Sequence, residues 1–289
     1  MEPLFGVFPV PEAARQDAVV EQVLLADRLG LDLVGIQDHP YQRRHLDAWT
    51  LISYLAGRTE RVSFFPDVAN LPLRHPGVLA KSAATLDRLS GGRVELGLGA
   101  GAFWDGIGAW GGPVRSGPES VDALVEAIGI IRRVWAAERG ITAEGEHYRM
   151  HGAHAGPEPA HDVGIWLGAY GPRMMRVVGR LADGWVPSLP RLPLEDVPAR
   201  QDAIDDAARK AGRDPAKIRR VANLNGVIAD GGDGGWLRGP AEHWVEELVK
   251  LARDLRFDGF VAWFDDEDQL GQTERFATDV APAVRDALA

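Results

Sequence analysis

Val62-Ser63-Phe64-Phe65-Pro66-Asp67-Val68 is an apolar run, and the chain after it bends sharply: Pro66, Pro72 and Pro76 fall within eleven residues. Proline cannot donate to a sheet ladder, so the strand must end there in an irregular turn. An amphipathic segment runs from Pro76 to Leu89 and stops at Ser90-Gly91-Gly92. Proline in a first helical turn and glycine just past the last are the signs of a helix start and stop. Arg93-Val94-Glu95-Leu96-Gly97-Leu98 follows at once as a second strand. Strand, helix and strand in this order imply two parallel strands joined by a right-handed crossover.

The unit repeats in both directions. Leu4–Phe8 is a strand, and a helix with Val19, Val20, Val23, Leu24 and Ala26 on one face closes at Gly30. Leu33–Gln37 is a strand and Leu46–Ala56 a helix. Beyond Leu98, the helix Val121–Ala137 precedes strand Gly164–Leu167 and helix Pro172–Leu181. Then come strand Gly184–Pro187, helix Leu194–Ala211, strand Ile218–Ala229, helix Pro240–Leu255, strand Gly259–Trp263 and a closing helix Gln269–Leu288. Eight strand–helix units with no break in composition predict a single α/β domain, a closed (β/α)8 TIM barrel. An open doubly wound sheet would carry G-x-G-x-x-G after its first strand. Here Phe8 is followed by Pro9-Val10-Pro11.

Composition narrows the chemistry. The 289 residues contain no cysteine, which excludes disulfides, thiolate catalysis and iron–sulfur clusters. A net charge of −10 without a basic block disfavours nucleic acid and anionic membranes as partners. No apolar run reaches the ~18 residues of a membrane helix, and the acidic N-terminal stretch does not read as a signal peptide. A cytoplasmic protein is the expectation.

A barrel of this kind places its chemistry at the C-terminal ends of its strands. Strand two ends in Gln37-Asp38-His39-Pro40-Tyr41, where His39 is a candidate acid or base and Asp38 can orient the loop or tune the ring. The strand-three bend carries Asn70, tolerant of unusual backbone, and a bulge here would press backbone against a ligand. Strand four opens into Gly99-Ala100-Gly101-Ala102-Phe103-Trp104-Asp105 and on through Trp110. Its glycines admit a flat ligand, and Trp104 and Trp110 could wall an apolar substrate. Strand five ends in Ala169-Tyr170-Gly171-Pro172-Arg173, whose free first-turn amides suit a phosphate, with Arg173 adding a charge.

The remaining polar clusters read as bland. His147, His151, His154 and His161 lie in a connection with no common metal-ligand spacing, so no metal is expected. Residues 265–268 read as a helix cap, and Gly231–Gly235 as a mobile loop or lid. Glu95 either enters the barrel as a buried carboxylate or faces a helix.

Val68–Pro76, Leu86–Gly101, Ile165–Arg173 and Ala182-Asp183-Gly184-Trp185 resemble the luciferase-like flavin-dependent oxidoreductases. The resemblance covers nearly the whole chain. It implies a barrel binding coenzyme F420, a 5-deazaflavin, or alternatively FMN; the Asp-His pair is similar to the deazaflavin branch. By that match His39 sits beside the reactive edge of the ring with Asp38 in support. Asp67, Val68, Ala69 and Asn70 form a bulge, often with a non-proline cis peptide, that backs the ring. Gly99, Gly101 and Asp105 follow the ligand, and Ala169, Tyr170 and Gly171 hold its phosphate. The implied activity is hydride transfer with a small, partly apolar substrate. The alternatives are an FMN monooxygenase fed by a partner reductase, or a barrel that only binds. Homodimers through the early helices are implied as well. The sugar-phosphate dehydrogenases of the superfamily carry Glu where this chain has Ala102, and a Trp close after the histidine where it has Arg43. Glucose-6-phosphate oxidation is therefore not expected.

Overall fold

A computed structural model describes residues 2–231 and 235–289. The eight barrel strands are β1 Leu4–Val7, β2 Leu33–Ile36, β3 Ser63–Pro66 with its extension β4 Ala69–Asn70, β5 Leu96–Gly99, β8 Ile165–Leu167, β9 Gly184–Trp185, β10 Arg219–Ile228 and β12 Gly259–Phe264. A hairpin, β6 Ile141–Glu144 and β7 Arg149–Ala153, and a short β11 Arg238–Gly239 lie outside this series. The barrel strands pair in parallel in the order β3-β2-β1-β12-β10-β9-β8-β5-β4. A parallel bridge between Phe64 and Val94 completes the ring. The protein is a (β/α)8 barrel.

The helices around it are α1 Gln16–Arg28, α2 Ala48–Ala56, α3 Pro76–Ser90, α4 Trp104–Ala109, α5 Gly117–Trp135, α6 Pro172–Leu181, α7 Val197–Lys210, α8 Ala241–Arg253, α9 Gln269–Arg275 and α10 Ala281–Leu288. Strand residues alternate between two cores, as a period of two requires. Leu33, Phe65, Trp166, Val186, Val221 and Val261 fill the barrel. Val34, Phe64, Leu224 and Phe260 belong to the larger core shared with the helices.

Four local expectations change. The glycine-rich segment after β5 is not all loop, since α4 forms within it. Helix α5 starts before Val121 because Ser116 and Glu119 make a capping box ahead of it. The histidine-rich connection contains the β6–β7 hairpin, tied to α5 where Glu126 accepts the amides of Glu146, His147 and Tyr148. The closing helix widens into a π turn at Phe276–Val280, ahead of Pro282, which cannot donate to a helical bond. Of the expected lid at Gly231–Gly235, residues 232–234 lie outside the described residues.

Candidate active site

A cavity of about 520 Å³ opens at the C-terminal mouth of the barrel. Of the residues expected there, Asp38, His39, Asp67, Val68, Ala69, Asn70, Gly99, Gly101, Ala169, Tyr170 and Gly171 line it. Asp105 and Arg173 do not. Asp105 is exposed on α4. Arg173 turns outward to α5, where its guanidinium meets the Asp122 carboxylate and donates to the Pro118 carbonyl at 3.1 Å.

The bulge after β3 contains a cis peptide between Asp67 and Val68. Val68 projects over the ends of two neighbouring strands. A methyl group built on Gly99 would come within 2.7 Å of its side chain, and one on Gly168 within 3.1 Å. Both strand ends must therefore be bare for Val68 to sit where it does, leaving a flat cradle. Asp38 holds the bulge in place. Its carboxylate accepts the Asn70 amide at 2.9 Å and a two-pronged pair of bonds from Arg74, each 2.7 Å. Asp38 thus orients the loop, and it makes no hydrogen bond to His39 but acts on that ring through its charge.

His39 is half-buried, stacked on Tyr41 and edge-on to Phe103. Burial, helped by the nearby His45, lowers its pKa to about 4 against the opposing charge of Asp38. At neutral pH the ring is uncharged, and neither nitrogen has a partner among the described residues. The apolar wall is Phe8, Tyr41, Phe103 and Trp263. It is not Trp104 and Trp110: the first lies against Gly101 outside the cavity lining, and the second is exposed outside the cavity.

Three buried oxygens around the bulge lack partners: Asp67 Oδ2, Asn70 Oδ1 and Asn223 Oδ1. Natural folds rarely leave such atoms unpaired, and all three residues line the cavity. At the far end of the cavity, Gly171 and Pro172 begin α6. Its first-turn amides have no intrahelical acceptor, which suits a phosphate.

Sequence reading missed Arg74, Tyr41, Asn223 and Arg191. Two polar residues, Asn223 and Asn225, within the otherwise apolar stretch 221–228 of β10 were the available signal for Asn223. Arg191 lines the mouth and is exposed there.

A profile of the luciferase-like monooxygenase family matches residues 5–260. The chain belongs to this family. It is similar to an F420-dependent glucose-6-phosphate dehydrogenase of Microbacterium testaceum, at 34% identity over 215 residues, which is 72% of this chain and 63% of that protein. It is also 34% identical over 197 residues to a 5,10-methylenetetrahydromethanopterin reductase of Methanolobus tindarius, 67% of this chain and 56% of the relative. The luciferase-like chain thus spans between half and two thirds of these curated relatives. In fold it resembles an F420-dependent secondary alcohol dehydrogenase solved with an F420–acetone adduct. The TM-score is 0.88 over 98% of this chain and 99% of that one, at 20% identity. No helix among the described residues is long and apolar enough to cross a membrane.

Proposed function

We propose that this luciferase-like chain is an oxidoreductase that moves a hydride between coenzyme F420 and a small, partly apolar alcohol or carbonyl compound. The observation that carries the reading is the cradle itself. Val68 lies bare on the bulge between Gly99 and Gly168, with unpartnered oxygens around it and an uncharged, unpartnered His39 in the same cavity. A flat ring with hydrogen-bonding edges and an anionic tail fits these residues. The bulge Asp67–Asn70, Gly99 and Gly101 would hold the ring, and the backbone of Ala169–Gly171 the phosphate. The curated relatives support a deazaflavin over FMN.

When bound, the deazaflavin supplies the carbon that accepts or releases the hydride. Alcohol oxidation also frees a hydroxyl proton. Neutral His39 receives that proton and returns it when a carbonyl is reduced. Tyr41, Phe103 and Trp263 exclude water and hold the apolar part of the substrate. Ala102 lines the cavity with a methyl group, so a sugar phosphate is not the proposed substrate despite the named relatives. Asp105 and Arg173 drop out of the proposed coenzyme contacts.

The proposal extends to a cytoplasmic homodimer, supplied with reduced coenzyme by a separate reductase when it runs as a reductase. Tyr54, Val78 and Leu89 on α2 and α3 stand 54%, 65% and 81% exposed, an apolar face suited to a second copy. A monomeric mass by light scattering at micromolar concentration would remove the dimer. Fluorescence titration with F420 and with FMN tests the main reading. Tight binding of F420 is expected, and binding of FMN alone would reverse the choice of coenzyme.

A further inference from the structure

Of the two carboxylates in the cavity wall, Asp38 is paired to Arg74 and Asp67 is not. Asp67 is 8% exposed, lines the cavity and touches no cation. Its Oδ1 accepts the Asn223 Nδ2–H at 3.0 Å, a contact between the bulge and β10, 156 residues apart in the chain. Its Oδ2 has no partner, and neither has Asn223 Oδ1. As an ionised carboxylate, Asp67 keeps a charge in a buried place with one oxygen bare. A proton on Oδ2 removes that charge and turns the bare oxygen into a donor.

Resting on the reading proposed above, we propose that Asp67 is the proton-linked positioning residue of this cavity. A ring ligand seated on the bulge closes over it and is bound by the protein whose Asp67 carboxyl is neutral. Covering an unpaired carboxylate with the apolar face of a ring would bury an uncompensated charge. The ligand therefore selects the protonated form, and binding takes up a proton. Burial already pushes the carboxyl up to about 7, against the pull of the Asn223 amide. Ligand binding pushes it higher.

The other titratable groups lining the cavity are Asp38, His39, Tyr41, Tyr170 and Arg191. Asp38 is paired to Arg74. His39 titrates near 4 and Tyr41 near 12, both outside the window that matters. β2 presents Gly35 to Asp67 and β10 presents Asn223, so neither neighbouring strand offers a charge.

Asp67→Asn tests the idea. The amide keeps the shape and the pairing with Asn223 and is permanently neutral. Titrations with F420 from pH 6 to pH 8.5 give Kd for both proteins, and their ratio cancels the titration of the coenzyme itself. The ratio of wild-type to variant Kd is expected to rise about thirtyfold over that range. Calorimetry near pH 7.5 in two buffers of different ionisation heat should show proton uptake by the wild type beyond that of the variant. A constant ratio with equal proton uptake would overturn the role of Asp67 and leave the coenzyme reading standing. Failure of the wild type to bind F420 at any pH would overturn that reading, and this inference with it.

Discussion

The two ends of the barrel each hold a histidine among carboxylates, and they treat it in opposite ways. At the N-terminal end, the return from the hairpin is pinned by His161. Its Nδ1 lies 2.8 Å from the fully buried Asp87 and its Nε2 3.4 Å from Glu95. Asp87 also accepts the amides of Ala160 and His161, and Glu95 that of Gly164. The hydrogen bond to Glu95, with the charge of Asp87, raises His161 to about 9 in spite of burial. At the mouth, His39 falls to about 4 with no partner, and Asp67 rises to about 7 with a bare oxygen. One end spends its polar groups on itself. The other keeps them for a visitor, as a site for ligands at the C-terminal end of barrel strands requires.

The sharpest way to break this comparison is to remove each histidine's chemistry in turn. His39→Ala should lower kcat about 10²–10⁴-fold, the usual contribution of a positioned acid or base, while leaving the F420 Kd within a few-fold. A variant turning over at the wild-type rate from pH 5 to pH 9 would end the role assigned to His39.

The opposite outcome is expected at the other end. Asp87→Ala leaves His161 Nδ1 and two amides without their acceptor while Nε2 keeps Glu95, and loss of a hydrogen bond to a charged group costs about 1.5–3 kcal/mol. Urea unfolding should show that loss, with F420 binding retained under native conditions. The pH dependence follows from the raised His161. Its contribution to stability is complete below about pH 6.5, the unfolded value, and is lost as pH rises through 9. The wild-type urea midpoint should fall over that interval, and His161→Gln should flatten the fall. Equal slopes in both proteins would show that His161 is not the charged pin of that end.

How much of this was legible in the chain divides along the same line. Proline and glycine punctuation marked the eight strands, because a barrel strand must begin and end abruptly. Strand ends then pointed to the mouth, and the bulge, the Asp-His pair after strand two and the α6 turn all fell there. Contacts between distant strands were not legible. Nothing local says that Asp38 pairs with Arg74 rather than His39, or that Asp67 meets Asn223. The hairpin was hidden as well: its residues are largely exposed, so β6 and β7 lack the apolar alternation of a half-buried strand.

A smaller effect probes the cradle. Gly99→Ala adds a methyl group where only 2.7 Å separates it from Val68, a β-branched side chain with little freedom to turn aside. Overpacking of this kind costs about 1–3 kcal/mol. The bulge should shift, and F420 affinity should fall by about tenfold. Gly168→Ala, with 3.1 Å of room, should do the same to a lesser degree. Full affinity in a folded Gly99→Ala protein would mean that the ring does not lie on Val68.

The smallest effects compare two neighbours at the start of α6. Gly171 lines the cavity, and a methyl group built there meets nothing within 4 Å. Gly171→Val should therefore fold normally, by circular dichroism, and bind F420 several-fold more weakly by crowding the approach to the first-turn amides. Arg173 carries the positive charge that the sequence offers a phosphate, yet its guanidinium is committed to Asp122 and the Pro118 carbonyl on α5. Its side chain is 46% exposed, and an ion pair in that setting contributes about 0–1 kcal/mol. Arg173→Ala should leave the F420 Kd within twofold, and the thermal midpoint should move by no more than a few degrees. A larger loss of affinity for Arg173→Ala than for Gly171→Val would reverse the order. It would mean that the guanidinium leaves Asp122 for the phosphate when the coenzyme binds, and that backbone amides alone do not make the site.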